Sequence, residues 1–146
     1  MIRRVHASGL IAGLVLVAAA GSVARAGAQT PLDQVVERAR DAWLTHAARA
    51  LVEHSDTVRL RIPGVAISAA VRPGQAARLL GRYFESTEEA GFELRSIRHV
   101  GADHAYAELL RRYVVRGTDD EREETVFFGF RVIGGEWRLR EVRVTP

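Results

Sequence analysis

Two stretches decide the fold: HAYAELLRRYVV at residues 104–115 and TVFFGFRV at residues 125–132. In the first, Ala105, Ala107, Leu109, Tyr113 and Val115 share one parity; in the second, Val126, Phe128, Phe130 and Val132 do. Alternation with a period of two puts those residues on one face of a β-sheet, so these are the expected core faces. Outward from this pair, turn-forming residues break the chain at Gly101-Ala102-Asp103, across Gly117 to Arg122, and at Gly134-Gly135. The segment from Phe92 onward therefore reads as four long strands joined by three hairpins. In the last strand Trp137 and Leu139 lie on one parity and Val142 and Val144 on the other, which predicts a β-bulge and a bent sheet.

The first half of the chain has a different period. Leu32, Val35, Val36, Ala39, Trp43, Ala47, Ala50 and Leu51 recur every three or four residues, the signature of an amphipathic helix. Thr30 is placed to cap it, with Pro31 in the first turn. Thr45 can cap a second helix, so one long helix and two shorter ones broken near Trp43 to Thr45 fit equally. Val58 to Ile62 and Val65 to Ser68 read as short strands around a turn at Pro63-Gly64. Pro73 and Gly74 open another helix, ending near Ser86, whose apolar face is Ala76, Ala77, Leu79, Leu80, Tyr83 and Phe84. The expected class is α+β, with helices on a curved antiparallel sheet.

Residues 1–26 read as a cleavable export signal: Arg3 and Arg4 precede an apolar run from Gly9 to Ala20, and Ala24-Arg25-Ala26 supplies small residues for cleavage after Ala26, with Ala28 as a second site. The run is too short for a membrane span, which needs about 20 apolar residues. Cleavage leaves residues 27–146 as one domain, periplasmic or secreted, with no membrane anchor. It also removes three arginines and no acid, so 18 basic residues face 18 acidic ones. The high isoelectric point belongs to the precursor, and nucleic acid is discounted as a partner. There is no cysteine, hence no disulfide and no lipidated cysteine. Every one of the 21 basic residues is arginine, a composition ascribed to the genome rather than to function.

The order of elements, together with Val58-Arg59-Leu60-Arg61-Ile62-Pro63-Gly64, Gln75-Ala76-Ala77-Arg78-Leu79-Leu80-Gly81-Arg82-Tyr83-Phe84 and Gly135-Glu136-Trp137-Arg138-Leu139-Arg140-Glu141-Val142, resembles the nuclear transport factor two-like superfamily. More narrowly it is similar to an uncharacterised secreted bacterial subfamily. The resemblance implies a cone of curved sheet and helices whose interior is a ligand pocket, an active site or packed core, and whose open sheet face often dimerises. Enzymes of that superfamily, ketosteroid isomerase and scytalone dehydratase among them, work with aspartate, tyrosine or histidine inside the cone. No such set aligns here residue by residue, so activity does not carry over.

Arg111 interrupts the apolar parity of its strand. It either binds a carboxylate inside the cone, because a buried charge needs a partner, or is turned outward by a bulge or an edge salt bridge. Tyr83, Tyr106, Tyr113 and Trp137 are candidates to line a cavity with it, or else to fill the core. His99, His104 and Asp103 offer ligand types that zinc accepts, but in no metal-binding spacing; they read as exposed loop chemistry, and no metal or cofactor is expected. Asp103 beside a tyrosine is the only acid and phenol pairing proposed for proton transfer. His46 and His54 read as surface residues, and Asp119-Asp120-Glu121-Arg122-Glu123-Glu124 as a solvated hairpin tip without calcium-loop spacing. The expected function is a non-catalytic ligand-binding or interaction module that takes a small molecule. An isomerase or dehydratase pocket enzyme and a structural module that dimerises through the sheet face are the alternatives.

Overall fold

The computed structural model describes residues 30–66 and 70–146; the export-signal reading of residues 1–26, with its cleavage sites, and the strand reading of Ile67 and Ser68 lie outside them. Helix α1 spans Leu32–Leu44, α2 Ala48–Val52 and α3 Pro73–Phe84. The strands are β1 Arg59–Arg61, β2 Thr87–His99, β3 His104–Val115, β4 Glu121–Ile133 and β5 Glu136–Thr145. They form one sheet in the order β1-β5-β4-β3-β2. The hairpin-linked strands are antiparallel, and β1 adds parallel to β5 through Leu60 opposite Val142.

The parity reading holds. Ala105, Ala107 and Leu109 on β3, and Val126, Phe128 and Phe130 on β4, are buried. The predicted bulge is at Arg140, because Gly129 pairs with Glu141 while Phe130 pairs with Leu139. It carries Leu139 and Val142, of opposite parity, onto the same buried face. Two further bulges, at Ala90 and Arg95, bend edge strand β2. The helices cover the inner face. Trp43 of α1 is fully buried, with its ring 4.9 Å from that of Phe84, 5.2 Å from Phe92 and 5.7 Å from Phe128.

On the outer face charge and apolar surface alternate. Arg143 lies 4.3 Å from the ring of Phe127, and Arg112 pairs with Glu93 at 3.6 Å. Tyr106 crosses the backbone there so closely that a Cβ at Gly129 would come within 3.0 Å of its ring.

Of the two open readings of the N-terminal helical segment, the chain takes the two shorter helices, because His46 adopts the left-handed φ of 54° that ends α1. Three expectations are corrected. Thr45 therefore closes α1 rather than capping α2, its hydroxyl donating to the Asp41 carbonyl at 2.9 Å. Thr30 is not the cap of α1: Pro31 holds that position, and its carbonyl accepts from Gln34 and Val35. Val65 and Ala66 form no strand, and the bridge partner of Val58 is Val71 instead.

Candidate functional site

The site is built on one cross-strand pair. β3 carries no bulge, so Arg111 keeps the inward parity of Ala107 and Leu109, directly opposite Glu124 of β4. Side chains so placed start only about 5 Å apart at Cβ. The outward-facing alternative for Arg111 is thereby overturned: its side chain has no solvent exposure. The bulge at Ala90 realigns β2 so that Glu89 sits opposite Tyr113, diagonal to Arg111, and aims its carboxylate at the same guanidinium.

A guanidinium has five N–H donors and no acceptor. The Nε donor of Arg111 goes to Glu89, 2.9 and 3.0 Å from its two oxygens. Nη2 donates to the Thr87 hydroxyl at 2.7 Å and to Glu89 Oε1. Nη1 donates to the Tyr83 hydroxyl at 2.6 Å and to Glu124 Oε1 at 2.5 Å. All five are satisfied within the protein. The plane of the group is enclosed by aromatic rings, with Cζ 4.3 Å from the Tyr113 centroid, 5.1 Å from Tyr83 and 5.4 Å from Trp43, distances at which a cation is attracted to the ring face.

The partners are engaged in turn. Tyr83 donates its hydroxyl hydrogen to Glu124. Thr87 donates to the Phe84 carbonyl at 3.3 Å. His46 Nε2 donates to Glu89 at 3.1 Å, and its ring stacks on Phe84 at 4.6 Å. Reading His46 as a surface residue is therefore corrected: the turn between α1 and α2 delivers it to the edge of the cluster. Reading Glu124 as part of a solvated hairpin tip is corrected too, since it continues the inward parity of Val126 and Phe128 and is buried.

Burial pushes the Tyr83 phenol well above its ordinary range; the positive Arg111 opposes this and the hydrogen bond to Glu124 adds to it. For Arg111, burial alone would favour the neutral form. The bond to Glu89 and the neighbouring Tyr83 and Glu124 outweigh it, and the guanidinium is held above its ordinary value. The cluster is a fully bonded ionic network rather than a set of poised acids and bases.

Above it lies a pocket of ≈640 Å³ between α3, the turn at Pro63-Gly64 and the ends of β3 and β4. Arg111, Tyr83 and Tyr113 all border it. The other two aromatic candidates lie elsewhere. Tyr106 has the opposite parity to Ala105 and Ala107 and stands on the outer face, in a small groove with Gly129 and Arg140. Trp137 borders a second pocket, of ≈580 Å³, between α1, α2 and β5. His99 packs edge-on against Trp137, with centroids 5.8 Å apart, while His104 pairs with Asp103 at 2.8 Å, so the three proposed metal-type groups do not converge. Asp103 is exposed, and the bond from His104 holds its carboxyl below the usual range. It has no tyrosine partner among the described residues; the acid and phenol pair of this chain is Glu124 with Tyr83.

Solved structures share the fold that carries this site. A ketosteroid isomerase-like protein from Erwinia carotovora atroseptica matches with a TM-score of 0.62 and 17% identity, over 78% of this chain and 94% of its own. The fold is nuclear transport factor two-like. Of that same cone are a DUF4783 family protein from Bacteroides uniformis, at a TM-score of 0.61 and 14% identity over 74% of this chain and 93% of its own, and a protein from Catenulispora acidiphila with a ketosteroid isomerase-like fold, solved in complex with trimethylamine, at 0.60 and 16% over 77% and 85%. No family model matches the chain, and no curated protein does. At these identities the nuclear transport factor two-like likeness concerns the fold alone.

Proposed function

We propose that the chain is a non-catalytic small-molecule-binding module whose ligand occupies the ≈640 Å³ pocket over Arg111. One observation carries this reading: the polar groups at the inner end of the pocket are committed to one another. All five donors of Arg111 and the hydroxyl hydrogen of Tyr83 have protein acceptors. General acid or base catalysis needs a group within reach of the substrate whose pKa lies near the working pH. Burial moves Tyr83 away from that condition. What is left is shape: a cavity within the usual range for small-molecule sites, about 300–1,000 Å³.

The isomerase or dehydratase reading draws its support from the Tyr83–Glu124 pair inside the cone, and requires Arg111 to release both. An amine ligand, as in the Catenulispora acidiphila protein, meets an obstacle here, because a cation already sits among the rings and carboxylates. A sheet-face dimer draws less support, since the outer face is laced with charge and, among the described residues, the exposed large hydrophobics are Leu94 and Val100.

The test is native mass spectrometry of the chain recovered from its own cells. The expected result is a co-purifying small molecule in the wild type that is lost in Leu79→Trp, which fills the pocket. The reading fails if the wild type carries nothing, or if Leu79→Trp retains the same adduct. The same sample reports on export, proposed from the N-terminal sequence: a mature chain would begin at Gly27 or Gln29.

A further inference from the structure

The walls of the pocket carry a charge pattern that selects a ligand. Three guanidinium groups border it, from Arg82, Arg111 and Arg122, and one carboxylate, from Glu124. That carboxylate is committed to Arg111 and Tyr83. Arg111 spends every donor inside the protein, which leaves Arg82 and Arg122 as the cations able to meet a ligand.

Arg82, at the end of α3, makes no ion pair among the described residues. The undescribed residues hold no aspartate or glutamate that could supply one. Arg122 gives its Nε and Nη2 to Asp120, at 2.9 and 2.6 Å, and has only its remaining donors open to a ligand; Asp120 does not border the pocket, and Arg122 stands directly across the strands from Tyr113. The walls also include the aliphatic side chains of Pro63, Val65, Leu79 and Val115. A guanidinium fork matches a carboxylate by paired, charge-assisted hydrogen bonds, and an apolar chain gains by leaving water against aliphatic walls.

Resting on the pocket reading above, we propose that the ligand is an organic anion with an apolar body, a carboxylate held by Arg82 and Arg122 with its chain against Leu79, Val65 and Val115. The Arg111 network serves this by engaging Glu124, the carboxylate that borders the pocket. Without Arg111, an uncompensated Glu124 would repel the ligand.

Three probes of one length test the idea by isothermal titration: octanoate, octan-1-ol and octylammonium, all below the concentrations at which they self-associate or separate from water. Octanoate binds at least about tenfold more tightly than either isostere, the effect of one good charge-assisted contact. Raising the salt concentration narrows the gap. Arg82→Gln weakens octanoate about tenfold and leaves octan-1-ol unchanged, the alcohol serving as a control for an intact pocket. In Arg82→Gln/Arg122→Gln the acid binds no better than the alcohol.

Equal binding of acid and alcohol by the wild type overturns the charge assignment while the pocket reading stands, and preference for octylammonium does the same. Failure of all three probes overturns the proposal. If the mass-spectrometric experiment also finds no bound molecule, the pocket reading falls with it.

Discussion

Two acid–base clusters sit at opposite ends of β3, made of similar chemistry and put to different use. Toward the end of the strand, Arg111 meets Glu89 and Glu124 with side chains 0%, 6% and 8% exposed. At its start, His104 meets Asp103 with side chains 36% and 57% exposed. Among core residues a charge must be matched donor for donor, because an unpartnered ion there costs several kcal/mol. At the hairpin tip water makes up any shortfall, and such a pair contributes little. Burial, not the identity of the groups, separates a structural node from a surface contact.

The strongest way to break the contrast is Arg111→Ala. It leaves two buried carboxylates without their cation and opens a void among Trp43, Tyr83 and Tyr113, so a loss of about 3–5 kcal/mol is expected in urea unfolding. Arg111→Lys recovers only part of it, since an ammonium cannot reproduce the planar set of five donors.

Tyr83→Phe is smaller, about 1–2 kcal/mol, for one hydrogen bond to a charged acceptor and one from a charged donor. It also has a pH signature. Because the phenol pKa is raised on folding, its contribution is fully present below the ordinary tyrosine value of about 10 and is lost as pH rises toward the folded value. Wild-type stability therefore declines above pH 10 through this group, and that part of the decline is missing in Tyr83→Phe.

His46 sharpens the boundary of the buried cluster. Both His46→Gly and His46→Ala lose the Glu89 bond and the stacking on Phe84. Glycine adopts the φ of 54° freely, so it is the less damaging by about 1 kcal/mol in the same assay. At the far end of the strand, His104→Ala leaves the melting temperature unchanged. It brings the Asp103 carboxyl back up toward its usual range in an NMR titration, since the bond from His104 is what depresses it.

The inward side of the contrast was half legible in the sequence. Alternation fixed β3 and β4 and singled out Arg111 as the residue that breaks the pattern. Opposite parity in the last strand located the bulge. The partners were harder. Glu124 carries the same parity as Val126 and Phe128, but it ends an acidic run, and composition outweighed periodicity in reading it. Thr87 and Glu89 precede Phe92, where the alternation becomes visible; a bulge at Ala90 and charged neighbours on an exposed edge blur the signal before it. His46 reaches the cluster through a positive φ at a non-glycine residue, which no local pattern announces. Tyr106 is the opposite case: its parity against Ala105 and Ala107 already set it on the other face of the sheet.

The bulge at Arg140 also acts as a phase shifter. Upstream of it Trp137 and Leu139 serve the pocket beside α1 and α2, and downstream Val142 and Val144 serve the core. Both halves remain in one continuous strand against β4. Were Arg140 paired in a regular ladder instead of bulged out of it, one half of the strand would exchange inside for outside, trading one wall of a cavity for the surface of the sheet, so this single extra residue holds two parts of the molecule in step.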